Sequence, residues 1–161
     1  MITSRSRIHP HAPGRVSGFS LIEVMIALVV LALGLLGFAL LQTMSLRYAK
    51  SANQRTQATN LAYELLDMAR AHRVLVNEYT QITEASFAAA PSSNCPIATG
   101  AATPTTNMAT WRCQVKAALG DEAFADVTQP GLGEVNIRIN WNDQRWTPGD
   151  ESRDFLVETR L

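Results

Sequence analysis

Gly18-Phe19-Ser20-Leu21-Ile22-Glu23 opens an apolar run that continues from Val24 to Leu41, and the two together decide how the chain is read. The run holds no charge, no proline and no amide side chain. At ~1.5 Å per residue it makes a helix of about 27 Å, close to the thickness of a bilayer's hydrocarbon core. The hexad before it is the unusual part, because Glu23 shares a helical face with Phe19. An ionised carboxylate in lipid costs at least ~2.5 kcal/mol, so such a group has a functional partner by default. Cutting the chain between Gly18 and Phe19 creates an α-amine that is largely cationic near neutral pH. That amine, on a neighbouring copy or a related subunit, is the natural partner for Glu23.

Residues 1–17 carry Arg5, Arg7 and Arg15, the histidines His9 and His11, two prolines and no acid. They read as a polar basic leader, and basic residues before an apolar helix hold that end on the cytoplasmic side. An ordinary secretory signal is cut after its apolar region at a small-x-small site. No convincing site of that kind follows Leu41, so the helix is expected to stay with the protein. The formal charge of the 161-residue chain is zero, which gives no electrostatic case for nucleic acid. Loss of residues 1–18 removes three arginines and leaves 11 Lys+Arg against 14 Asp+Glu.

Every position of the hexad is similar to the class III signal of type IV prepilins and pseudopilins. The resemblance implies cleavage after Gly18 by a membrane prepilin peptidase and N-methylation of Phe19. It makes residues 1–18 the leader and Glu23 the residue that meets an N-terminal amine during assembly. The bland alternative is an uncleaved signal-anchor with a chance glutamate. Gly34 and Gly37 interrupt the apolar helix, either as ordinary membrane-helix glycines or as a point where it can stretch. The stretch Gly37–Leu41 lacks the proline that major pilins often carry there.

Beyond Leu41 the composition turns amphipathic, with no proline between Pro13 and Pro91 and no glycine between Gly37 and Gly100. Ala58, Leu61, Ala62, Leu65, Leu66 and Ala69 recur at helical steps, while Arg47, Lys50, Arg55, Glu64, Asp67 and Arg70 supply a solvated side. We read one helix from Phe19 to about Glu78, with 19–41 as the transmembrane and assembly half. Residues 42–78 are its amphipathic continuation, and 79–161 a globular head. Asp67 and Arg70 stand at i,i+3, worth a few tenths of a kcal/mol. Residues 77–107 are breaker-rich and read as a long connection.

Asn107 can cap a short helix ending at Gly120, with Met108, Trp111, Val115 and Leu119 on one face. Trp111, Cys113, Val115, Ala117 and Leu119 also alternate as in a strand; the alanines and cap signals favour helix. Trp111 is read as a core anchor. A short strand is expected at Ala123–Thr128. Alternation of Val135, Ile137, Ile139 and Trp141 predicts a half-buried strand, and Phe155, Val157, Thr159 and Leu161 predict another after a turn at Thr147–Asp150. Cys95 and Cys113, an even number in an exported region, read as a disulfide, with free thiols or a metal site as alternatives. Closing that loop stabilises by roughly 3 kcal/mol in the chain-entropy picture.

No catalytic constellation, phosphate loop or metal-binding spacing is present, so no cofactor is expected. Asp121, Glu122 and Asp126 read as a solvated face or loop, with calcium as a minor alternative. Residues 14–73 resemble the PilV-type minor pilins, also called type IV pilus modification proteins. The resemblance rests on Val29–Gly37, Leu41-Gln42 and Ala58–Ala71, with Ile139-Asn140-Trp141 matching loosely. It implies a pilin-like α+β fold: a long N-terminal helix packed on a small antiparallel sheet. It also implies a role in starting or promoting type IV pilus assembly, supporting motility or adhesion. The implied partners are other minor pilins, the major pilin, the prepilin peptidase, the inner membrane and the pilus assembly platform. The implied location is the inner membrane with a periplasmic head, then the pilus on the cell surface. A minor pseudopilin of type II secretion shares motif and topology, and a membrane-anchored enzyme or ligand-binding module is the reading from a different class.

Overall fold

The computed structural model describes residues 18–97, 103–143 and 152–161. The basic leader 1–17 and the turn expected at Thr147–Asp150 lie outside the described residues. The chain divides into two compact units, Met1–Thr43 and Met44–Leu161. One helix, α1 (Leu21–Ala71), contributes to both.

In the first unit every described residue is exposed. Leucine and alanine recur here without a proline, which favours helix despite Gly34 and Gly37. The glycines Gly34 and Gly37 are not demanded by packing within the chain, since a Cβ at either would meet no atom within 4 Å. α1 is long and apolar enough to cross a membrane, and its most apolar window buries nothing against the rest of the chain.

The second unit is an α+β head. Gln54, Ala58, Leu61, Ala62, Leu65, Leu66 and Ala69 form the buried stripe of α1. All but Gln54 are positions whose helical period predicted a core face. Opposite them, Val135, Ile137, Ile139 and Trp141 of β2 (Glu134–Asn142) are all buried. β2 is the central strand of a three-stranded antiparallel sheet in the order β1-β2-β3. β1 spans Phe124–Thr128 and β3 spans Ser152–Arg160. Val127 faces Ile137 across β1–β2, and Val157 faces Ile137 across β2–β3, so one register sets all three strands. A one-residue slip would turn every apolar side chain to water.

α1 stops at Ala71, short of the expected Glu78, and is followed by a 3₁₀ turn (Arg73–Leu75) and a short helix α2 (Val76–Tyr79). Neither glycine nor proline causes this. The chain folds back so that Tyr79 and Ile82, both essentially fully buried, reach the core. The Tyr79 hydroxyl and the His72 backbone N–H both donate to the Met68 carbonyl, at 3.3 and 3.1 Å. An otherwise orphaned helix-end carbonyl is thereby satisfied.

The predicted second helix exists as α3 (Pro104–Leu119), which settles the helix-or-strand ambiguity, but its cap is Thr103 rather than Asn107. Thr103 and Thr106 bond each other's backbone reciprocally, and Pro104 occupies the first turn, where its missing N–H costs nothing. Gly120, at φ 117°, ends the helix in a conformation that side-chain-bearing residues rarely adopt. Trp111 is wholly buried, donates from Nε1 to the Leu61 carbonyl at 2.9 Å, and meets Phe87 edge-on at 6.2 Å. It locks α3 to α1, as a core anchor should.

Candidate functional site

The hexad sits where the chain enters α1. Gly18, Phe19 and Ser20 are not helical, and the Ser20 carbonyl accepts from the backbone N–H groups of Glu23 and Val24 at 3.0 and 3.3 Å. Ser20 therefore starts the helix, and the Gly18–Phe19 peptide bond stands outside it in exposed, non-helical chain. Phe19 is 85 % exposed, and a Cβ on Gly18 would meet nothing within 4 Å. Any catalyst that must reach the bond between them meets no obstacle from the described residues.

Glu23 lies in the first turn of α1, where a carboxylate is favoured by the positive end of the helix dipole. It is exposed and makes no ion pair among the described residues. Around it Leu21, Ile22, Val24, Met25 and Ile26 are all bare apolar surface. The arrangement is a single acid in an apolar belt, placed one helical turn from the residue that cleavage would make the N-terminus. Chemically it can receive a cation and then be buried with it. Unpaired burial of either charge is costly.

In the head, Cys95 and Cys113 are joined in a disulfide with a Cα–Cα distance of 5.4 Å. It ties the connection after Phe87 to α3, reinforced by Thr110 Oγ1 donating to the Pro96 carbonyl at 2.9 Å. Lys116 Nζ donates to the carbonyls of Phe87 and Ala90 at 3.1 and 3.2 Å, and the Phe87 carbonyl also accepts the Ala90 backbone N–H at 3.0 Å. The long connection read from the sequence is thus pinned at Phe87, Ala90, Cys95 and Pro96.

Asp121 and Glu122 of the loop before β1 and Asp126 of β1 itself line one open depression. Asp126 accepts the Glu84 backbone N–H at 3.1 Å, and Glu122 accepts Asn142 Nδ2 at 3.1 Å. No group of three or more His, Cys, Asp or Glu able to hold a metal exists among the described residues. Asp67 and Arg70 pair at 2.9 Å as their spacing predicts, on the exposed side of α1.

Sequence reasoning missed two polar features. Tyr79 stacks obliquely near His72 with its hydroxyl 3.0 Å from Nδ1. Burial pushes the Tyr79 hydroxyl pKa up, Asn107 opposes this by hydrogen bonding, and Glu78 adds to the rise. Asp143, 5 % exposed, accepts a 2.6 Å hydrogen bond from Ser51 of α1. Ser51 and Asp143 are 92 residues apart, and His72 meets Tyr79 only because the chain turns back after α1, so no local pattern marks either. Glu64, on the edge of α1, has its carboxyl pKa raised by partial burial.

Neither a curated protein nor a solved structure matches the chain. Residues 14–39 match the prokaryotic N-terminal methylation motif, the signal of prepilin-type proteins, and this supports a place for the chain in the type IV pilin superfamily.

Proposed function

We propose that this chain is a minor pilin of the type IV pilus, of the PilV type, which acts by assembly rather than catalysis. The observation that carries the reading is the complete Gly18–Glu23 hexad on exposed, non-helical chain, directly before a bare apolar helix whose far half carries a small α+β head. A prepilin peptidase cuts after Gly18 and the new Phe19 amine is methylated. The subunit waits in the inner membrane as a single-pass protein with residues 42–161 in the periplasm. It then joins other minor pilins and the major pilin through the 19–41 segment. Glu23 receives the N-terminal amine of a neighbour, so that two charges enter the apolar bundle as a pair instead of singly. Initiation or promotion of the fibre, and through it motility or adhesion, is the outcome.

The test is the mass of the mature N-terminus in piliated cells that make the protein with its own peptidase. A chain beginning at Phe19 and carrying one methyl group is expected. An intact Met1 terminus in such cells would falsify the reading.

A further inference from the structure

We infer that the stretch Leu46–Lys50 of α1 is a contact site for the headgroups of anionic phospholipids. This rests on the reading of residues 19–41 as a membrane segment and adds a specific lipid contact to it.

Charge is unevenly spread along the chain. From Val24 to Tyr63 the sequence holds no acid, and its only cations are Arg47, Lys50 and Arg55. From Glu64 to Leu161 the balance reverses, and acids outnumber Lys and Arg by thirteen to eight. Basic residues just past a membrane helix run against the usual bias, which keeps Lys and Arg with the end that stays inside. Arg47 and Lys50 therefore need a reason of their own, and the negative surface of a bilayer supplies one.

Chain length alone sets the depth. Leu46 is five residues past Leu41, so even fully extended chain carries it no more than about 18 Å from the end of the apolar run. Both residues belong to α1, and along a helix the rise between them is about 8 Å. The headgroup zone on each side of a bilayer is roughly 5–8 Å deep. Arg47 stands about 9 Å and Lys50 about 14 Å past Leu41, and helical side chains lean back toward the N-terminus. Their long stems therefore bring both charges toward the phosphates. Arg55, about 21 Å past Leu41, lies beyond that reach.

The other side chains suit the same depth. Every residue from Leu46 to Lys50 is exposed, and the first residue of α1 buried in the head is Gln54. Leu46 is 72 % exposed and Tyr48 64 % exposed. Tyrosine favours the membrane–water boundary, where its ring meets acyl chains and its hydroxyl meets water. Lys50 shares a depression with Asp121 and Glu122 but forms no ion pair with either among the described residues. Its ammonium is therefore not held away from a phosphate. An acidic protein surface would answer the two cations alone. A lipid boundary answers the cations, Leu46 and Tyr48 together.

The test places a benzophenone amino acid at Leu46 of the full chain in vesicles of phosphatidylcholine and phosphatidylglycerol. Two further samples carry it at Leu28, in the apolar run, and at Tyr63, on the exposed side of α1 in the head. After irradiation, intact masses identify what each position has captured. Lipid adducts are expected at 28 and 46 and not at 63. At 46 phosphatidylglycerol should exceed its share of the vesicle lipid several-fold, while at 28 it should follow that share. Arg47→Gln combined with Lys50→Gln should abolish the enrichment, and Arg55→Gln should preserve it. An oxidised Cys95–Cys113 bond in each variant certifies folding. Lipid at 28 with none at 46, a protein product at 46 in its place, or an enrichment indifferent to the double substitution overturns the inference and leaves the membrane segment standing. Absence of lipid adducts at both 28 and 46 overturns the reading of residues 19–41 itself.

Discussion

Replacing Cys95 and Cys113 together by alanine should lower the melting temperature of the head by about 12–16 °C, taking ~4 °C per kcal/mol for a domain of this size. The bond closes a loop with a sequence separation of 18 residues. Restricting the unfolded chain over such a loop is worth about 3 kcal/mol. Cys113 is wholly buried, so its alanine also loses contacts worth roughly 0.8 kcal/mol, the scale of one methylene. Circular dichroism of the mature chain in detergent reads the transition through the buried Trp111. Wild type with reductant should fall toward the double variant, and the double variant should ignore reductant. Alkylation of the native protein without reductant should label neither cysteine. A fall below about 3 °C, outside the scale the loop predicts, would show that the bond does not restrain this connection.

Three further outcomes follow from other parts of the molecule. Glu64 binds its proton more tightly folded than unfolded, so its contribution is best below the ordinary value of 4.5 and declines as pH rises through the raised one. Glu64→Gln should therefore raise the melting temperature near neutral pH and leave it unchanged well below 4.5; a gain in acid would reverse the assigned sign. Trp111→Phe removes the bond to the Leu61 carbonyl and part of the core, and urea unfolding should report a loss of about 2–3 kcal/mol. Glu23→Ala and Glu23→Gln should leave cleavage after Gly18 largely intact but reduce incorporation into pili, measured by immunoblot of sheared fibres; normal incorporation of both would remove the assembly role from Glu23.

What could be read from the sequence was what is written locally. The stripe from Ala58 to Ala69 is buried because its helical period runs without a breaker, and β2 alternates because one face meets that stripe. The end of α1 was hidden, since nothing at His72 forbids a helix. Its cause lies in Tyr79 and Ile82, whose burial is a property of the finished core. The cap of α3 was misplaced for a related reason. Thr103 and Asn107 are both able caps, but Pro104 suits only the first turn, and Asn107 instead reaches Tyr79.

The hexad differs from these elements in being contiguous, so its whole chemistry is legible before any fold is known. That β2, rather than β3, takes the centre of the sheet was not legible, because strand order is not a local signal. Glu23 stands in an apolar belt with no ion pair among the described residues. A solitary protein gains nothing from an exposed apolar belt, which invites association. The arrangement is explained if the belt's cover and the cation that meets Glu23 both come from outside the chain.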